Sequence, residues 1–248
     1  MVSQIARHMS LTATVDHCAF AVQQIRALRP VGPPFGVDRD WYELLVRPDS
    51  ACFNGSPGAF VDCLYCNRPP VATDIEVMER AVRWLADLPE PTRLSINVHP
   101  ESLTADHFVE FVSLHQYSLA GQGHSLCLEL IEFGDCGDRK TLVNNAQLLR
   151  RRGVLIALDD FGSRLNCFDL CAAGIVDVIK IDSTVIAGVD KQPNQRAIID
   201  CVTTLANGLG GCVVAEGIER CEEMQAITEL GVAYAQGYYF HKPEIMEI

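Results

Sequence analysis

One pattern constrains this chain more than any other. Short runs of β-branched and aliphatic residues alternate with longer amphipathic stretches along most of its length. Runs of the first kind suit strands buried on both faces, and the stretches between them suit helices laid over a parallel sheet. Strands are expected at 19–25, 41–47, 94–98, 125–131, 154–158, 178–181, 212–215 and 234–236, and helices most clearly at 73–88, 138–152, 195–208 and 221–230. The second of these helices runs from Asp138 to Arg150, Arg151 and Arg152 ahead of Gly153, which matches the helix dipole and a glycine stop. Eight strands alternating with helices in 248 residues favour an α/β fold of the (β/α)8 TIM-like barrel type over an open doubly wound sheet.

A single domain over residues 1–248 is expected, with 1–18 as a lead-in segment and 48–70, rich in Gly, Pro, Asn and Cys, as a long loop. No apolar run approaches the roughly 20 residues that span a bilayer, so membrane insertion is not expected. Asp and Glu number 32 against 20 Lys and Arg, and a net charge of −12 argues against an extended nucleic acid as partner. The 11 cysteines are odd in number and no leader pattern opens the chain, so a reduced, cytoplasmic protein is expected. Cys63-x-x-Cys66 has no second pair at zinc-ribbon spacing and reads as ordinary thiols.

Polar residues follow directly on the apolar runs: Asn97, Glu129, Asp159 with Asp160, Lys180 with Asp182, Glu216 and Gln236. In a β/α barrel the carboxyl ends of the strands are where catalytic groups gather, whereas solvated charges fall on helix faces. The two-residue period of a strand puts Glu43, Leu45 and Arg47 on one face, as it does Lys180 and Asp182. Two neighbouring acids such as Asp159 and Asp160 repel unless a proton or a cation lies between them. A donor set of carboxylates and an amide oxygen selects hard cations, Mg2+ or Mn2+, and a pair of such ions suits hydrolysis of a phosphodiester.

Read in order, seven segments resemble the EAL family of cyclic di-GMP phosphodiesterases. They are Glu43-Leu44-Leu45-Val46-Arg47, Ser95-Ile96-Asn97-Val98, Glu129-Leu130-Ile131-Glu132, Asp159-Asp160-Phe161-Gly162-Ser163, Val178-Ile179-Lys180-Ile181-Asp182, Ala215-Glu216-Gly217-Ile218-Glu219, and the run from Gln236 to Pro243. The resemblance implies a barrel whose first strand is antiparallel to the others, and hydrolysis of cyclic di-GMP to linear pGpG in second-messenger degradation. It also implies a two-metal site holding Mg2+ or Mn2+, in which Glu43, Asn97, Glu129 and Asp159 ligate one ion and Asp159, Asp160 and Glu216 the other. Lys180 and Glu216 would be the catalytic groups. Arg47, Gln23 and Gln236 would bind substrate, while Glu132, Asp182 and Glu219 would orient the groups in contact with metal and substrate. A homodimer is the assembly the family suggests.

Three departures stand out. Ile131 takes the place of a threonine, Arg164 that of a glycine, and the family's glutamine–proline element on the first strand appears as Gln23-Gln24-Ile25. Arginine does not enter the positive backbone angles that glycine takes freely, so the loop after the paired aspartates is expected to differ in shape. A second reading follows from these changes: a catalytically weak receptor or protein-interaction module of the same fold.

Overall fold

All eight expected strand segments are strands in the computed structural model, which describes residues 14–30, 32, 35, 40–49, 53–130, 138–161 and 168–246. The strands are β1 (Cys18–Gln24), β2 (Arg26–Ala27), β3 (Asp40–Pro48), β4 (Thr92–Val98), β5 (Ser125–Leu130), β6 (Leu155–Phe161), β7 (Val178–Ile181), β8 (Cys212–Ala215), β9 (Tyr234–Ala235) and β10 (Glu244–Ile245). They form one sheet in the order β10-β1-β3-β4-β5-β6-β7-β8-β9-β2. Neighbours from β3 to β9 are parallel, whereas β1 runs antiparallel to β3. β2 continues β1 across Ile25 and pairs with β9, so one chain segment joins both sides of the sheet and curls it into a TIM-like barrel. The antiparallel first strand is the one the resemblance implies.

The helices are α1 (Pro57–Asn67), α2 (Pro70–Ala86), α3 (Asp106–Ala120), α4 (Arg139–Arg151), α5 (Phe168–Ala172), α6 (Ser183–Ile186), α7 (Pro193–Gly208) and α8 (Cys221–Glu229). Among the described residues no helix is long and apolar enough to cross a membrane. The dipole reading of the fourth holds: Asp138 caps it by accepting from the Thr141 N–H at 3.0 Å, and Arg150 closes it. The long loop expected over 48–70 is corrected, because α1 occupies most of it. Ser56 accepts from the Ala59 N–H, Pro57 takes the first helical position, and Phe60 and Leu64 bury one narrow face against Phe53. Two buried residues one turn apart, set among glycine, proline and cysteine, are a weak helical signal. α3 was not among the helices singled out from sequence either; it leaves Leu114 and Tyr117 exposed, which blurs its apolar stripe.

Inside the barrel the two ends differ in kind. At the amino end of the strands Phe35, Trp41 and Tyr234 pack together with Val178, Cys212 and Val214. The buried Arg93 guanidinium lies 4.9 Å from the Trp41 ring and 5.8 Å from that of Phe35, and donates to the Phe35 carbonyl at 3.0 Å. That end is plugged by aromatic and cation–π contacts. Trp41 and Glu43 point inward from the same strand, two residues apart, and Glu43 already belongs to the polar end.

The turn that carries the chain away from β4 is held by a buried carboxylate. Asp74, on α2, accepts from the Tyr65 hydroxyl at 2.6 Å, the Ser102 hydroxyl at 2.6 Å and the His99 N–H at 2.9 Å. It thereby ties α1, α2 and the 3-10 turn Pro100–Thr104 together just beyond Asn97. Burial pushes the Asp74 carboxyl up to about 6, against the pull of those three donors. Between about pH 4 and pH 6 the folded chain holds a proton that the unfolded chain has released, so this contribution to stability is lost as pH rises. Relative to Asp74→Asn, the native protein should lose roughly 2 kcal/mol of unfolding free energy between pH 4 and pH 6.5. Urea titrations across that range measure the difference, and parallel pH curves for the two proteins would contradict it.

Candidate active site

Lys180 stands at the centre of the polar end, on β7, with its side chain 1% exposed. Its ammonium reaches carboxylates from four other points of the barrel: Glu129 on β5 at 2.6 Å, Glu216 just after β8 at 2.7 Å, Asp159 on β6 at 3.1 Å and Glu43 on β3 at 3.4 Å. Two amides extend the ring. The Asn97 side chain, on β4, donates to Glu43 Oε1 at 3.0 Å, and Gln236, after β9, donates to Glu43 Oε2 at 2.7 Å and to Gln23 Oε1 at 3.1 Å. Gln23 lies directly opposite Glu43 in the β1–β3 ladder, so the unusual spacing between them in sequence does not separate them in space.

One ammonium among four carboxylates leaves excess negative charge in a largely buried site. Burial raises the Glu129 carboxyl well above the carboxylate range despite Lys180, with Glu43 and Asp159 adding to the rise. Glu216 is pushed up to about 8, again by burial first. Glu43 goes the other way: burial is outweighed by the Lys180 charge and by the hydrogen bonds from Gln236 and Asn97. For Lys180 burial favours the neutral amine, but the surrounding acids hold its pKa well above the ordinary lysine value.

Asp160 is the sole non-glycine residue with a positive φ, 53°, among the described residues. The β6–β7 pairing shifts register between Leu158 and Phe161, at this same point. Adjacent strand residues ordinarily face opposite ways; the left-handed kink instead brings oxygens of Asp159, Asp160 and Glu216 within 4.8 Å of one another. Two glycines let the neighbouring loops close on the site. A Cβ on Gly217 would meet the Ser183 Cβ at 2.4 Å, and one on Gly237 would meet the Ile218 carbonyl oxygen at 2.1 Å.

Several oxygens of this ring accept no hydrogen bond although they are buried: Asn97 Oδ1, Glu129 Oε1 and Gln236 Oε1, while Asp159 Oδ1 has the Lys180 ammonium as its one close partner. Buried acceptors are normally satisfied. Uncommitted oxygens on a carboxylate and two amides, beside the cluster of Asp159, Asp160 and Glu216, fit one or more hard divalent cations.

The other residues singled out from sequence fall further away. Asp182 caps α6, accepting from the Thr184 N–H at 2.9 Å and from the Thr184 hydroxyl. Glu219 is exposed and lines the cavity above the acids. Arg47 donates to the Val46 carbonyl at 3.1 Å and is not among that cavity's lining residues. Ile131, Glu132 and the loop of Arg164 lie outside the described residues.

Sequence reasoning missed Asp74 and Glu223. The buried Glu223 carboxylate accepts from the backbone N–H of Gly188, Glu219 and Arg220 and from the Arg220 guanidinium, which also pairs with Asp190 at 2.6 Å. It binds the loop carrying Glu216 to the one that follows α6. A glutamate three residues after a helix start is a capping-box spacing, and that was the available signal.

Residues 74–243 match the EAL domain family. This chain belongs to that family. Over 192 residues the EAL chain is 30% identical to the probable cyclic di-GMP phosphodiesterase PdeG of Escherichia coli, covering 76% of this chain and 38% of that protein. With the cyclic di-GMP phosphodiesterase RocR of Pseudomonas aeruginosa it shares 34% identity over 161 residues, which is 65% of this chain and 41% of RocR. The chain therefore spans about two fifths of these curated relatives. The Xanthomonas citri FimX EAL domain, solved in complex with c-diGMP, superposes with a TM-score of 0.77 at 19% identity, over 99% of this chain and 93% of that one, a likeness of fold. The manganese/cy-diGMP complex of Klebsiella pneumoniae BlrP1 superposes with a TM-score of 0.73 at 26% identity, over 92% of this chain and 56% of BlrP1.

The dependence of the EAL acids on Lys180 can be measured as stability. In chelator-treated buffer Lys180→Met should lower the unfolding free energy by roughly 3–5 kcal/mol, the cost of leaving buried charges without their partner. A loss below about 1 kcal/mol would show that protonation alone relieves the cluster.

Proposed function

We propose that this chain hydrolyses one phosphodiester of cyclic di-GMP to give linear pGpG. The observation that carries the proposal is the ring of acids around Lys180 with uncommitted oxygens beside the Asp159, Asp160 and Glu216 cluster. The names of the curated relatives point to the same substrate. Divalent cations, Mg2+ or Mn2+, would be held at two positions: one by Glu43, Asn97, Glu129 and Asp159, the other by Asp159, Asp160 and Glu216. Such cations acidify water and polarise a phosphoryl oxygen.

The chain's own groups do the rest. Lys180, its ammonium 2.7 Å from Glu216 and 3.1 Å from Asp159, stays charged and stabilises the negative charge that builds on the phosphoryl oxygens. The water oxygen bonds to phosphorus as Glu216 takes its proton, the P–O3′ bond breaks, and Glu216 returns that proton to O3′, which leaves as a hydroxyl. Gln236 and Gln23 form a hydrogen-bonded pair at the rim that fixes Glu43 from behind and faces the ribose–phosphate ring. Asp182 caps the helix that follows the Lys180 strand and Glu223 holds the loop that carries Glu216, while Glu219 presents a free edge to the substrate. Arg47, further along β3, meets the second phosphate with a planar donor set suited to it. A cytoplasmic homodimer is the setting this reading implies.

Incubation of the purified chain with cyclic di-GMP and Mg2+ or Mn2+, followed by chromatography, tests the proposal. Release of pGpG that stops on adding EDTA is expected, and Glu43→Ala should slow it by roughly a hundredfold or more. Tight binding of cyclic di-GMP without pGpG would overturn hydrolysis and favour the receptor reading.

A further inference from the structure

The cavity above the acids, of about 620 Å³, has an aromatic wall that chemistry at phosphorus does not require. Tyr238 lines it together with Leu45, Asp159, Glu216 and Gln236, and remains 59% exposed. The backbone beneath it is fixed. Gly237 sits so close to Ile218 that no side chain fits between them, Tyr239 donates its N–H to the Ile218 carbonyl at 3.0 Å, and the Phe240 and His241 N–H groups both return to the Gly237 carbonyl. The neighbouring ring is used by the fold: Tyr239 stands edge-on to Phe240 with centroids 5.0 Å apart. Tyr238 instead has the Lys242 ammonium 5.6 Å from its ring centroid.

An exposed aromatic on a rigid turn, over the mouth of a polar site, loses little freedom when a flat ligand covers it. The acidic mouth also gives an anionic substrate little to bind by charge before cations arrive, so binding has to come from elsewhere. Resting on the phosphodiesterase reading, we propose that Tyr238 is the stacking platform for one base of the cyclic dinucleotide. Lys242 steadies the ring through its cation–π contact and places a positive charge at the mouth. Stacking of this kind serves every nucleobase, and it selects diesters that carry a base over glycerol or sugar diesters with the same phosphate chemistry.

Three variants test the assignment. Tyr238→Ala should raise KM for cyclic di-GMP roughly tenfold and leave kcat within about twofold, while Tyr238→Phe keeps the native KM. Tyr238→Trp should retain activity and report the contact directly, its fluorescence quenched on addition of cyclic di-GMP with Ca2+. The native Trp41, plugging the far end of the barrel, and Trp84, on α2, are placed away from the cavity and supply an unresponsive background. A native KM in Tyr238→Ala, or no quenching in Tyr238→Trp while the native protein still turns over, would overturn the platform alone. Failure of the native protein to bind or cleave cyclic di-GMP would instead overturn the phosphodiesterase reading, and the platform with it.

Discussion

The polar end of this barrel depends on a buried ammonium. Lys180 is enclosed by Glu43, Glu129, Asp159 and Glu216, and without it those acids would have to protonate or separate. The arrangement is under-compensated as it stands, because a single positive charge faces four carboxyls, and Glu129 Oε1 and the neighbouring amide oxygens of Asn97 and Gln236 accept no hydrogen bond. A well-packed apolar core would be a cheaper way to close a barrel. That the chain keeps the charges is an argument that the site is built for a reaction, with cations completing what Lys180 begins.

Stability for that concession comes from the opposite end and from the outer layer. Arg93, Trp41, Phe35 and Tyr234 seal the amino ends of the strands. Outside, the helices bury a continuous apolar layer against the strands, with Leu94, Ile96, Leu126, Leu128, Ile156 and Ile179 contributing. The same strands therefore carry hydrophobic residues outward and polar ones inward at a single end. Asp74 and Glu223 extend this order into the loops, each taking several donors from neighbouring segments.

Backbone conformation supplies what side-chain pattern cannot. The positive φ of Asp160 turns two adjacent aspartates toward a common point, a conformation that a non-glycine residue adopts at a cost of about 1 kcal/mol or more. Gly217 and Gly237 bring the loops after β8 and β9 into contact with their neighbours, and that contact decides the shape of the cavity and where Tyr238 points.

The strand positions, the parallel direction of most of the sheet and the positions of the site acids were legible in the sequence, because apolar runs and the residues that end them are local signals. Glu43, Asn97, Glu129, Asp159, Lys180, Glu216 and Gln236 could all be located in this way, and the structure brings them together. The helix at Pro57–Asn67 was not legible, since its two buried side chains carry no visible period, and neither were Asp74 and Glu223, whose partners lie on other elements. The alternation of strand and helix by itself favoured a barrel, and the polar residues that end its apolar runs marked the mouth. Only the tertiary structure decided which acids share Lys180, how Asp159 and Asp160 come to face one point, and which oxygens are left uncommitted, because burial, register shifts and loop contacts are set by residues distant in the chain.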